Sequence, residues 1–343
     1  MTIFPTYATL PVHHLAACFN NTSATYKFYW FLAIVECVEE GEKQIDKEKL
    51  FAKMMANAWY TVNYFHVSFG PQDLIQSTIR KLKEIENIPI DLDKQGIVNR
   101  LLQSTKPETI KLLRHFNGNV PHWFLSPWYP RQKRADIYRL SQLEENAPIY
   151  QLYDATIVVS EEWYAYLQKH ARLIKDYIFW NLCLFLQSRN PNVPDIANKL
   201  IKPAVRNSLT KQRKFWDFVI AENGPIHCIY TDSLLDIGDY HVEHFVPYSF
   251  VSHDLIWNLI PADKTFNVVK SNKLPSIEKY FASFYDLQKL AVETFIHHNP
   301  KERLLEDYLH IGADINTQLS KKNLYNAIQP LITIASNNGF EFL

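Results

Sequence analysis

The sequence predicts a mainly α-helical protein that contains one short β-like segment. Most of the first 198 residues form long stretches without Gly or Pro, separated by short polar breaks. Only 8 of the 343 residues are glycine, and neither G-x-G-x-x-G nor G-x-x-x-x-G-K-[ST] occurs. Because Rossmann and P-loop folds need glycines at their phosphate-binding turns, the sequence argues against these two architectures. The clearest strand-like pattern lies between residues 225 and 250.

Polar caps and helix breakers define the first helices. We predict a helix over residues 24–40, because a run of Asn, Thr and Ser precedes it and Gly41 follows it. Two more helices are predicted over residues 47–67 and 73–86. A proline at position 107 suits the first turn of a fourth helix, since the proline nitrogen has no proton to leave unpaired.

The longest predicted helix begins after Ser160. Its first residues, Glu161 and Glu162, suit the positive end of a helix dipole. The apolar residues of one face are spaced by four and seven, and they are Trp163, Leu167, Ile174, Ile178 and Phe185. The second half is apolar nearly all round, so we expect a buried central helix that ends at Asn190.

The chain changes character at residue 199. Residues 199–214 contain six basic side chains and no acidic one, so we expect a basic linker over 199–224 after a helical recognition or regulatory domain over 1–198. Short strands are predicted within 226–230 and 240–246. Ser276 can cap a helix that reaches His298, and a helical extension is expected over 276–343.

Composition limits the environment of the protein. Lys plus Arg and Asp plus Glu number 36 each, so net charge does not indicate a nucleic-acid or membrane partner. The four cysteines are widely spaced, which is typical of a reducing compartment rather than of a disulfide scaffold. No apolar run approaches the ~18 residues of a membrane span. We therefore expect a soluble, cytoplasmic protein without a membrane partner.

The residues that can perform chemistry are concentrated between positions 240 and 275. A carboxylate and an imidazole, Glu243 and His244, end a predicted strand before Pro247. Asn258 follows 14 residues after His244, and Asn267 nine residues later. Oxygen ligands of this kind hold Mg²⁺, and a neutral histidine can take a proton from water.

This stretch resembles the HNH, or ββα-metal, endonucleases, and most closely the HNH domain of the type II CRISPR effector nucleases. The shared features are the run Val-Glu-His-Phe-Val-Pro-Tyr-Ser-Phe at 242–250, then Asn258, and Asn267 followed by Lys270 and Ser271. The resemblance covers residues 225–275, about a seventh of the chain. It implies a small ββα-metal nuclease core there, between the helical domain and the helical extension.

The resemblance also implies a role for each matching residue. His244 would be the general base that activates water, and Asn258 would tie the loop so that His244 keeps its orientation. Glu243 and Asn267 would hold one Mg²⁺ or Mn²⁺ ion. Glu243 stands where the family has Asp, which leaves the position of the cation open. A structural zinc is not expected, since Cys228 is the only cysteine of this stretch.

Basic side chains near this stretch are candidates for contact with DNA. Residues 225–275 contain six acidic and three basic residues, so a polyanionic substrate needs cations from the metal site or from the neighbouring basic segment. The candidates for phosphate contact are Lys270, Lys273, Lys211, Arg213, Lys214 and Arg206. Lys270 and Lys273 can equally form a solvated helix face. We interpret His241, two residues before Glu243, as solvent-exposed rather than as a ligand.

Together these features predict a metal-dependent DNA endonuclease, and stand-alone proteins of this size with an HNH core resemble restriction and anti-phage effectors. Two alternatives stay open. The core could be a weak or inactive nucleic-acid-binding scaffold if Glu243 cannot seat the cation. The chain could also cut only together with a partner protein encoded nearby, and a homodimer would suit cleavage of both strands.

Overall fold

The computed structural model confirms a mainly α fold. It describes residues 4–7, 9–202, 207–312 and 319–343. The chain divides into two compact units, of which the first comprises residues 1–191 and 196–202 and the second residues 192–195 and 203–343. No helix of the described ranges is both long and apolar enough to cross a bilayer.

The first unit is a helical array with one small sheet. Its helices are α1 (His13–Ala17), α2 (Tyr26–Glu39), α3 (Lys47–Asn63), α4 (Leu74–Glu86), α5 (Lys94–Leu102), α6 (Pro107–Arg114), α7 (Val120–Phe124), α8 (Arg134–Gln142) and α9 (Glu161–Arg189). Its strands are β1 (Gln44–Asp46), β2 (Gln151–Leu152) and β3 (Thr156–Val158). Strand β3 is central and pairs antiparallel with both neighbours.

Helix α2 forms the centre of this unit because ten of its fourteen residues are buried. Its Trp30 indole donates a hydrogen bond to the Tyr150 hydroxyl at 3.0 Å, so the polar edge of the ring is satisfied inside the core. The Ser160 hydroxyl accepts a hydrogen bond from the Trp163 N–H and caps α9, which fits the predicted start of that helix.

The expectation that the second half of α9 is buried all round is wrong. Trp180 is 64% exposed and Leu184 is 52% exposed, and Phe185 is only half-buried. One face of the helix, including Ile174 and Ile178, is fully buried, while the opposite apolar side chains face solvent. The apolar composition of this half of the helix therefore predicted more buried surface than the single buried face provides.

The second unit combines helices with two hairpin-like strand pairs. Its helices are α10 (Thr210–Asn223), α11 (Tyr248–Val251), α12 (Lys264–Lys270), α13 (Ile277–His298) and α14 (Lys321–Asn337). Its strands are β4 (Ile226–His227), β5 (Leu234–Leu235), β6 (His241–His244) and β7 (Leu259–Ala262). Strand β4 pairs with β5 and strand β6 with β7, both antiparallel. Much of the predicted basic linker is helix α10.

Three helices hold the β6–β7 pair in place. The Tyr240 hydroxyl, just before β6, donates to the Asp217 carboxylate of α10 at 2.7 Å. On α13, Gln288 donates to the carbonyl of Leu259 at 2.9 Å, where β7 begins. The Asp263 carboxylate accepts the N–H of Phe266 at 2.9 Å and caps α12, which directly follows β7. The strands and α12 are thereby fixed relative to each other.

Candidate active site

The candidate site lies where the end of β6 meets α12. Successive side chains of a strand point to opposite faces, so His241 and Glu243 share one face of β6. Asn267 and Lys270 are three residues apart on α12 and share one face of that helix. The two faces meet as two pairs, His241 with Asn267 and Glu243 with Lys270.

The Glu243 carboxylate is buried and ion-paired. It is 7% exposed and contacts the ammonium of Lys270, which is fully buried. The same ammonium donates a hydrogen bond to the backbone carbonyl of His244 at 2.8 Å. Burial lowers the pKa of Lys270, and the neighbouring Glu243 carboxylate opposes that shift. The predicted phosphate contact of Lys270 does not fit this position, because its ammonium is buried and already paired with the Glu243 carboxylate.

His244 itself is buried and paired with a residue that sequence reasoning missed. Its Nε2 lies 2.9 Å from Oδ1 of Asp254, in the loop between α11 and β7. The residue is 6% exposed, and its ring packs edge-on against Tyr248. In the described part of the chain, no group hydrogen-bonds to the other ring nitrogen, Nδ1. The ring therefore has one fixed nitrogen and one without a partner.

Asn258 lies inside the loop that follows β6. Its side-chain oxygen accepts the N–H of Val246 at 2.8 Å, and its amide donates to the Val246 carbonyl, also at 2.8 Å. Its backbone carbonyl accepts the N–H of Phe245 at 2.8 Å. Asn258 is fully buried, so these bonds fix the backbone directly after His244. This geometry gives Asn258 a structural position rather than contact with a substrate.

Asn267 lies beside His241, with its Nδ2 3.3 Å from Nδ1 of the ring. The interpretation of His241 as simply solvent-exposed is therefore incomplete, since the ring is half-buried against α12. No described contact joins Asn267 to His244 directly, and Lys270 is the residue that connects the helix with both Glu243 and His244.

The donors at this junction are of the kinds that bind divalent cations. The carboxylate of Glu243, the amide of Asn267 and the ring of His241 offer oxygen and nitrogen ligands. Tyr230 adds a buried hydroxyl that bonds to no described group, and burial together with the nearby Glu243 charge raises its pKa. A cation at Glu243 would share the carboxylate with Lys270, which weakens the attraction available to the metal.

The other predicted DNA contacts have different environments. Arg213 donates to the Tyr240 carbonyl at 3.1 Å and stacks over the Tyr240 ring, so its guanidinium supports the start of β6. A phosphate contact for Arg213 does not fit this use of its charge. Lys211, Lys214 and Lys273 reach the surface and form no bond with a described side chain. Arg206 lies outside the described residues.

Cys228 contributes a hydrogen bond within the module. Its sulfur accepts the N–H of Asp263 at 3.4 Å, at the start of α12. In the described part of the chain, the one group of three or more His, Cys, Asp and Glu side chains close enough to share an ion is Cys37, Glu40 and Glu42 in the first unit.

Comparison with known proteins agrees with the module but reaches no further along the chain. Residues 228–276 match the family model of the HNH endonucleases. No curated protein and no solved structure matched the chain. The finer resemblance to the type II CRISPR effectors stays a prediction. The chain therefore contains an HNH endonuclease module at residues 228–276.

Proposed function

We propose that the chain is a metal-dependent DNA endonuclease with His244 as its general base. The observation that carries this proposal is the pairing of His244 Nε2 with the Asp254 carboxylate. A carboxylate stabilises a proton on the nitrogen that it faces, and we assign the Nε2 proton on that ground. Nδ1 then keeps its lone pair and can accept a proton from water.

The proposed reaction is hydrolysis of one phosphodiester bond. Water gives a proton to Nδ1 of His244, and its oxygen forms a bond to phosphorus. The bond from phosphorus to the 3′ oxygen breaks, and that oxygen takes a proton from solvent. The products are a 3′-hydroxyl and a 5′-phosphate. Asp254 stabilises the positive charge that the ring gains, and Asn258 fixes the backbone that carries the ring.

The cation that we propose is Mg²⁺ or Mn²⁺, held by Glu243 and Asn267 with His241 beside them. Such an ion, when bound, neutralises charge that develops on the phosphate oxygens. Lys270 keeps the Glu243 carboxylate in place against α12. Lys211, Lys214 and Lys273 are the surface cations that we propose for phosphate contacts of the backbone, and removing each should reduce the salt dependence of DNA binding.

Cleavage of supercoiled plasmid tests this proposal. The full chain should nick or cut the plasmid with Mg²⁺ or Mn²⁺ but not with excess EDTA. His244→Ala should reduce the rate at least ~10²-fold, since a general base contributes ~10²–10⁴-fold. His227→Ala is the matched control, because His227 lies on β4 in the same unit and its side chain is 63% exposed. Equal rates for His244→Ala and the wild type would refute the assignment.

A catalytically weak nucleic-acid-binding module is the second candidate, and the contact of Lys270 with Glu243 favours it. An ammonium on the only carboxylate of this donor set competes with a divalent ion. Calorimetric titration with Mn²⁺ separates the candidates, because DNA binding without metal uptake or cleavage would support the weak module. Glu243→Gln should abolish any uptake that belongs to this site.

We also propose a role in restriction or phage defence, which rests on the resemblance alone. Phage should form plaques less efficiently on cells that express the wild-type chain than on cells that express His244→Ala. Equal plating across a broad phage panel would count against this role while leaving the nuclease chemistry untouched.

A further inference from the structure

The first unit contains a cavity that the nuclease proposal does not use. It has a volume of about 520 Å³ and lies among α2, α3, α5, α9 and residues 200–202. Cavities of roughly 300–1,000 Å³ with mostly apolar walls are typical of small-molecule sites. Aromatic side chains form part of the wall, namely Trp59, Tyr60 and Phe179.

The Trp59 indole has an unmet hydrogen-bonding requirement. The residue is 1% exposed, and no described group accepts its buried Nε1 proton. Buried polar groups normally have a partner, so an unpaired donor in a cavity wall indicates that an acceptor belongs there. Solvent does not reach Nε1, so an acceptor on a bound molecule would satisfy it after a small shift of the cavity wall.

The charges around the cavity leave one guanidinium available. Four basic and two acidic side chains line it. Lys94 is ion-paired with Glu36, and Lys175 is ion-paired with Glu39 on the neighbouring helix. Arg172, by contrast, forms no hydrogen bond or ion pair with any described residue. A free guanidinium is suited to a phosphate or carboxylate, which it can bind through two parallel hydrogen bonds.

Lys202 adds a second positive charge at the same wall. Its ammonium lies 5.3 Å from the centre of the Tyr60 ring and donates to the Asp91 carbonyl at 2.6 Å. Because a carbonyl has no net negative charge, this hydrogen bond does not neutralise the ammonium of Lys202. The cavity therefore combines aromatic walls, a buried donor and a surplus of positive charge.

We propose that this cavity binds a small planar aromatic anion, with its ring against the aromatic wall and its anionic group on Arg172. Nucleoside phosphates and aromatic carboxylates share this chemistry. The site is separate from the HNH module and does not depend on the nuclease proposal. A small shift of the wall on binding would let the Trp59 N–H donate to an acceptor on the bound ring or its substituent.

Calorimetric titration of the full chain tests the proposal with seven probes. These are AMP, GMP, CMP, UMP, 4-hydroxybenzoate, benzoate and inorganic phosphate. Saturable binding of a nucleotide, or of an aromatic carboxylate, but not of inorganic phosphate supports the proposal and identifies the source of the anion. No saturable binding of any aromatic probe up to millimolar concentration, or binding of phosphate as tight as that of the aromatic anions, overturns it.

Two variants locate the site. Arg172→Ala should lower the affinity for the probe about 10- to 100-fold, which is the usual effect of losing a hydrogen bond to a charged group. Trp59→Phe keeps an aromatic ring but removes the N–H donor, so it should lower the affinity for the probe several-fold. Lys169→Ala is the matched control, because Lys169 is an exposed basic residue of α9 outside the cavity. Unchanged affinity in Arg172→Ala overturns the proposal.

Discussion

Replacing Asp254 by Asn tests whether the carboxylate acts through His244. The two side chains are joined at 2.9 Å, and they are 8% and 19% exposed, so the pair is only weakly solvated. The substitution keeps the size of the side chain and removes its charge. We expect the catalytic rate to fall, because the ring gains positive charge as it takes a proton from water.

The magnitude follows from the geometry. Two unit charges at 4 Å attract by about 4 kcal/mol at an effective dielectric constant of 20, which is a ceiling for this pair. Asp254 is partly exposed and the ring is only partly charged in the transition state, so the loss should lie below that ceiling. Partners that orient metal-binding histidines are usually worth 10- to 100-fold, and we expect the same range, about 1.4–2.7 kcal/mol, for this pair.

Single-turnover nicking of plasmid measures this loss. The kcat should fall 10- to 100-fold in Asp254→Asn while KM stays within about twofold, because Asp254 does not contact DNA in the proposed mechanism. The matched control is Asp239→Asn, an acidic residue of the same module whose side chain is 78% exposed. Its kcat should equal that of the wild type.

A double-mutant cycle distinguishes positioning from general structural support. If Asp254 acts through His244, adding Asp254→Asn to His244→Ala should cause no further loss of rate. A second loss as large as that in the wild-type background would refute the reasoning. A shift of the unfolding midpoint by many degrees in Asp254→Asn would instead indicate a folding defect.

Three other predictions concern stability. Asn258→Ala should lower the free energy of unfolding by about 2–4 kcal/mol in denaturant titration, because it leaves the buried N–H and C=O of Val246 without partners; a loss under 0.5 kcal/mol would contradict the structural role. Lys270→Met should cost about 3–5 kcal/mol in EDTA by leaving Glu243 unpaired, and Mn²⁺ should restore part of this loss; a midpoint that Mn²⁺ does not move would oppose a metal at Glu243. Burial lowers the pKa of His122 to about 4, so its contribution to stability is present above pH 6.5 and is lost as pH falls towards 4; His122→Phe should lose less stability than the wild type between pH 6.5 and 4.5, and parallel losses would contradict this.

Local signals predicted much of the fold. The serine caps at 160 and 276 correctly marked the starts of α9 and α13, because a cap depends on residues adjacent in sequence. The extent of burial could not be predicted in the same way. Trp180 is exposed although its surroundings in sequence are apolar, since contact depends on which helix face meets a neighbour.

The site residues also differ in how far the sequence could predict them. The run around Glu243 and His244 was visible because its residues are adjacent, and Asn258 and Asn267 because their spacing is fixed. Asp254 carried no signal, because a lone aspartate in a loop is usually a turn residue. Only the path of the loop after α11 brings it to the ring.

Lys270 illustrates why charge counting alone misplaces residues in a small nuclease module. A lysine on a short helix is expected at the surface. Lys270 is nevertheless buried, because the Glu243 carboxylate pairs with its ammonium and the backbone carbonyl of His244 accepts a hydrogen bond from it. Lys270 thus neutralises Glu243, the carboxylate that we propose as a metal ligand, before any substrate binds. A divalent ion at the proposed site would bind next to an ammonium that is already in place, and on that ground we expect weak, exchangeable metal binding rather than a permanently held ion. The acidic excess of residues 225–275 therefore overstates the negative charge that the site offers to a cation.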